Sequence, residues 1–212
     1  MDGDFFMRND RFLPLELALL LALAVTLVWG AASLGRQQAL SERMIRLHVV
    51  ADSDEPAAQA LKLQVRDRVL EQAEAVLSGA TDRTAAEAAL ASALPRLEQA
   101  ARREVAARGF VWDVKVSLER AAFPTRDYGS FALPAGEYTA LRVVIGSGRG
   151  HNWWCVVFPP LCTAAATDLE DTALSAGLGE NDVSLMEGEG TAWVLRFRAA
   201  ELWDQLRRWL GK

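Results

Sequence analysis

The run Gly146–Cys162, GSGRGHNWWCVVFPPLC, restricts what this chain can fold into more than any other stretch. It holds three glycines, two adjacent tryptophans, two adjacent prolines and both cysteines of the protein. Glycine permits positive φ or a close backbone approach, so Gly146, Gly148 and Gly150 mark a tight loop. Trp153 and Trp154 are bulky and costly to leave in water. Pro159 and Pro160 end whatever element carries Trp153 to Phe158. The run therefore predicts a loop, then a strand or short buried turn, then a stop. Cys155 and Cys162 lie close enough in the chain to be joined across that stop.

The compartment decides how those cysteines read. Residues 1–11 are polar and mixed in charge, and from Phe12 to Ala32 the chain is almost wholly apolar. The uninterrupted part, Leu17 to Ala32, is short for crossing hydrocarbon about 30 Å thick, which takes about 20 residues. It suits a secretory signal core, and Gly30-Ala31-Ala32 supplies small residues for cleavage before Ser33. The rival is an uncleaved anchor in contact with the membrane. Asp2, Asp4 and Asp10 offset Arg8 and Arg11, which departs from the usual basic start of a signal. Either reading exports the remainder, and in an oxidising compartment a close cysteine pair reads as a disulfide, Cys155–Cys162. Two buried free thiols are the alternative. With His48 and His151 as the only histidines, no zinc-type ligand set is legible, and no cofactor motif stands out. A net charge of -5 gives no basic field for nucleic acid.

Residues 1–32 are thus expected to be a signal peptide or anchor, 33–43 a polar linker, and 44–212 one extracytoplasmic domain. Met44–Ala51 alternates like a strand. Asp52-Ser53-Asp54-Glu55-Pro56 offers capping side chains and an early proline for a helix to Leu77. Leu61, Val65 and Val69 form one apolar row on it, and Leu63, Leu70 and Leu77 another. Thr84 with Glu87 reads as a capping box opening a second helical region, with a kink or a fresh helix start expected at Pro95. Val111–Leu118 and Tyr138–Ile145 read as strands, with a loop from Phe123 to Gly136 between them. Thr191–Arg198 reads as a last strand and Ala199–Leu210 as a closing helix. Strand, helices, strands, helix argues for an α/β or α+β class. The expected architecture is a single domain with helices packed on a mixed sheet, preceded by an N-terminal hydrophobic helix.

Catalytic patterns are weak. A dinucleotide fingerprint starting at Gly148 needs a third glycine where Trp153 stands. His151, Asn152 and Cys155 invite a cysteine-nucleophile reading, which a bridge at Cys155 would remove. An extracytoplasmic hydrolase acting on wall material, using Asp52, Glu137 or His151, is the enzymatic alternative. Large apolar residues in loops either cover a core or form a partner patch. Phe123, Pro124 and Tyr128 in one loop and Trp153, Trp154, Pro159 and Pro160 in the other are therefore candidate partner-binding residues.

Two blocks, IRLHVVADSDEPAAQALKLQVRDRVL (Ile45–Leu70) and FPTRDYGSFALPAGEYTALRVVIGSGRGHNWWCVVFPPLC (Phe123–Cys162), resemble the stage II sporulation protein R family; WDVKVSL (Trp112–Leu118) fits it too. The resemblance implies a non-enzymatic signal of endospore formers. Such a protein is made in the forespore and exported to the space facing the mother cell. There it activates a membrane-embedded aspartic protease, which processes the precursor of sigma E. Where the family often has Asn, this chain has Asp52, which puts a specific polar contact at that turn in question.

Overall fold

Six residues that form an inner strand of the sheet, Ile45–Val50 (β1), have apolar or aromatic surroundings on both sides, and the rest of the domain is arranged around them. A computed structural model describes residues 13–129, 131–161 and 169–186. After β1 come two long helices, α2 (Pro56–Leu77) and α3 (Arg83–Ala107). Then follow β2 (Val114–Phe123), the two-residue strands β3 (Arg126–Asp127) and β4 (Ala132–Leu133), β5 (Gly136–Ile145) and β6 (Asn152–Phe158). Two short helices close the described part, α4 (Leu169–Ser175) and α5 (Glu180–Met186). The main sheet has the order β2-β5-β1-β6. β1 runs parallel to β5, while β2–β5 and β1–β6 are antiparallel. This is the expected mixed sheet with helices, in one domain. The predicted strand Thr191–Arg198 and helix Ala199–Leu210 lie outside the described residues.

Strand alternation sends Ile45, Leu47 and Val49 to one face, where they meet Leu61, Val65 and Val69 of α2 and Leu90, Leu97 and Val105 of α3. The other face carries a second apolar cluster that includes Leu40, Met44, Phe123, Tyr138 and Val156, with Val183 and Met186 of α5. With both faces of the sheet covered here, even Arg46, on the side opposite Ile45 and Leu47, is wholly buried.

The N-terminal helix α1 (Leu13–Ser41) is exposed over its apolar length and is long and apolar enough to cross a membrane. It also absorbs most of the expected linker at 33–43. Gln37, Leu40, Ser41 and Met44 fall at helical spacing and are buried in the domain, so this segment is docked helix rather than tether.

Local corrections follow the same logic. α3 runs through Pro95 unbroken, because Pro95 lies on the exposed side, where water can reach the carbonyl it strands. Its cap is Asp82, which accepts the Ala85 N–H at 2.9 Å; Glu87 pairs instead with Arg83 at 2.8 Å. Leu63 points outward, away from the rest of its predicted row. The loop after Phe123 contains the hairpin β3–β4, and β2 starts later than expected, leaving Val111 outside the sheet and exposed.

Candidate functional site

β6 lies on the far side of β1 from β5, so the chain must cross the end of β1 to reach it. The glycine-rich loop makes that crossing over the turn by which β1 enters α2. Gly150 donates its N–H to Ala51 O at 2.9 Å, and Arg149 donates to Asp52 O at 3.1 Å. Asp52 Oδ1 accepts the Ser147 N–H at 2.6 Å, and Asp54 Oδ1 accepts the His151 N–H at 2.6 Å. Asp52 and Asp54 therefore clamp the other loop and leave the start of α2 without a side-chain cap. Asp52 works here through an accepting oxygen that asparagine also has, so Asn at this position would keep the contact.

Two glycines are required by this crossing. Gly146 sits at φ +57, and a side chain there would overlap the Asp52 carboxylate. A Cβ on Gly150 would run into the Ser53 carbonyl. The buried Lys62 ammonium adds a tie, donating to His151 O at 3.0 Å and to Gln59 Oε1 at 2.6 Å. Burial lowers the Lys62 pKa, with Asp54 opposing and Arg66 reinforcing the shift.

The adjacent tryptophans part company at the sheet. Trp153 faces the α2 side, 37% exposed, with the Arg66 guanidinium 4.4 Å from its ring centre. Trp154 faces the other way. It stacks on His48 at 5.8 Å and lies under the Arg126 guanidinium at 4.0 Å. On that second face, Ser117, Arg142, His48 and Trp154 form one row across all four strands. His48 Nε2–H donates to Asn152 Oδ1 at 2.8 Å. Burial lowers the His48 pKa, an effect the Asn152 bond opposes and Arg142 augments.

One row further in, Arg46 is wholly buried. It donates to the Tyr128 hydroxyl at 2.6 Å and lies 4.3 Å from the Phe123 ring centre and 4.8 Å from that of Tyr138. Its Nε and Nη1 have no hydrogen-bond acceptor among the described residues. Burial raises the pKa of both tyrosines, partly countered by Arg46. Sequence reasoning missed this group. An arginine inside a strand reads as an outward side chain, and only the aromatics flanking the blocks hinted at a buried cation.

The partner-binding candidates separate accordingly. Phe123 and Pro159 are interior residues, Phe123 packed edge-on to His48 and Tyr138. Pro124, Trp153 and Pro160 are exposed, and Tyr128 and Trp154 are half-buried. Cys155 is buried on the α2 side of β6, while Cys162 lies outside the described residues. The carboxylates of the hydrolase alternative do not converge: Glu137 opens β5 and His151 lies beyond its far end, about 25 Å of strand away. His151 pairs with Asp54 at 2.5 Å on the surface. In an open basin of about 650 Å³ near Arg43, Asp82 and Arg83, Arg43 pairs with Asp182 and Arg83 with Glu87, while Arg120 on its wall donates to Glu137 O.

Both blocks that build the clamp and the arginine face fall within residues 41–168, which match the family model described as stage II sporulation protein R. The chain is also 36% identical, over 123 residues, to the stage II sporulation protein R of Bacillus subtilis (strain 168). That alignment covers 58% of this chain and 55% of the relative, so the match spans about half the relative's length. No solved structure matches the chain. With three-fifths of its length inside the family model, and with the matched residues making up the sheet and the interlocked loops, the chain belongs to the stage II sporulation protein R family.

Proposed function

We propose that this protein is an exported sporulation signal that works by contact. Made in the forespore, it is carried to the space facing the mother cell, where it activates a membrane-embedded aspartic protease that processes the precursor of sigma E. It has no catalytic role of its own. The observation that carries this reading is the use to which the acidic loop is put. Asp52, the carboxylate an enzymatic reading would use at this turn, and its neighbour Asp54 are taken up by backbone N–H groups of the glycine-rich loop. The matched blocks thus build a rigid surface, while the apolar α1 supplies a segment suited to export or anchoring.

The layout supports contact at a distance from the anchor. α1 enters the sheet at the start of β1, and the clamp lies at the end of β1, about 20 Å further on. A protein held through α1 would present the clamp, Trp153 and Pro160 to different depths of the intermembrane space, with the clamp outermost.

The test is restoration of sigma-factor processing. Cells lacking the endogenous signal and producing the cognate protease should recover processing when this chain is exported, and should fail to when the exposed apolar stretch of α1, Leu17–Ala32, is replaced by a polar sequence. Processing that proceeds equally without the chain would overturn the reading. Export also predicts the Cys155–Cys162 bridge, worth about 2.5 kcal/mol for so short a loop. Alkylation of the exported protein without reductant should leave its mass unchanged; two added groups would refute the bridge.

A further inference from the structure

The second face of the sheet is covered over only half its length among the described residues. The end of α1, the β3–β4 hairpin and α4–α5 close the half around Met44 and Arg46. The half toward the clamp stays partly open, with Arg142, His48 and Trp154 half-buried and Lys115 exposed at its margin. Its charge is unbalanced. Lys115, Arg126 and Arg142 border it, with Arg46 beneath. Glu119 is the carboxylate paired there, 3.1 Å from Arg142. Asp127, next to Arg126, turns back to accept the Gly129 N–H. In a chain of net charge -5 this is a local cationic excess.

The guanidiniums are also short of acceptors. Among the described residues, the buried Nε of Arg126 and of Arg142 has no acceptor. Buried donors are ordinarily satisfied, and arginine donors in particular by carboxylates in a fork. Arg126 lies over Trp154, and Arg142 is the neighbour of His48 across the sheet, so the stacked His48–Trp154 pair spaces the two guanidiniums. We infer that this half-face is a docking site for an acidic, carboxylate-bearing segment of a protein partner. The site deepens the signalling reading and rests on it only for the partner's identity.

The experiment uses the full chain in detergent, labelled with ¹⁵N-arginine and titrated with a deca-glutamate peptide. The Nε–Hε signals of Arg126 and Arg142 should shift, and added salt should weaken the binding. Arg126→Gln with Arg142→Gln should weaken it at least tenfold. Arg103→Gln on α3 should leave it unchanged. Arg126→Lys with Arg142→Lys, which keeps the charge and loses the fork, should fall between. Absence of shifts, equal shifts with deca-lysine, or wild-type affinity in the folded double Gln variant would each overturn the proposal. In sporulating cells the double Gln variant should lower sigma-factor processing in step with its lost peptide binding; unchanged processing would overturn docking of the protease here. If deleting the whole chain leaves processing unchanged, the signalling reading fails instead, and the peptide titration still decides the surface.

Discussion

The two faces of the sheet are built from the same four strands and do different work. The α2–α3 face is an apolar layer of aliphatic side chains. The opposite face embeds Arg46 and His48 among aromatic rings and, among the described residues, leaves buried nitrogens of Arg46, Arg126 and Arg142 without acceptors. Aliphatic burial stabilises in proportion to area and is indifferent to detail. A buried cation costs desolvation and returns it only through geometry. The first face therefore looks like the source of stability, and the second a place where stability has been exchanged for a specific arrangement.

The comparison breaks most readily at the first face. Leu61→Ala should cost about 3 kcal/mol, measured by urea unfolding, because Leu61 is fully packed between the sheet and α3. A cost below about 1 kcal/mol would mean that this face is not the stabilising one.

Next comes the clamp, which joins the two matched blocks. Gly150→Ala should cost about 2 kcal/mol, since the new methyl meets the Ser53 carbonyl. Asp52→Ala should cost about 1 kcal/mol by removing the charge-assisted bond to the exposed Ser147 N–H, and Asp52→Asn distinctly less. Amide exchange at Ser147 and Gly150 separates a local opening from global loss.

Arg46→Met sharpens the contrast. On an ordinary apolar face, changing a fully buried large side chain is expensive. Here the unfolding free energy should change by less than about 1 kcal/mol or rise, because the variant removes a poorly partnered charge. A loss of about 3 kcal/mol would show instead that the Phe123 and Tyr138 rings repay the cation in full.

The smallest effect is that of pH. His48 is held neutral by burial, below its ordinary value near 6.5. As pH falls, the unfolded chain takes up the proton first. The stability is fully present above about 6.5 and is lost as pH drops through that value toward the lower folded one. His48→Gln should flatten the dependence between pH 7 and 5 in unfolding measurements. An unchanged slope would assign it to other groups.

Much of the fold was legible from local pattern. β1, α2, β5 and β6 fall where alternation and helical spacing place them, within a residue or two. The site was legible only in part. The glycines of the crossing loop and the acidic turn each stood out, but as separate features, a loop and a helix cap. Nothing local says that Asp52 will meet Ser147, 95 positions away. Likewise, Trp153 and Trp154 are equivalent as sequence, and Phe123 looks as available as Pro124.

By itself the sequence determined periodicity, chain reversals, an apolar leader and the composition of two family blocks, because these depend on neighbours a few residues apart. Tertiary structure decided the rest. Placing β6 beyond β1 forces the glycine-rich loop over the acidic turn, which gives the carboxylates their partners. The register of β6 on β1 decides which tryptophan meets Arg66 and which meets His48, and β2, β5 and the β3–β4 hairpin bring in the rings that enclose Arg46. Those outcomes follow from strand order and register, long-range properties that arise only when the chain closes on itself.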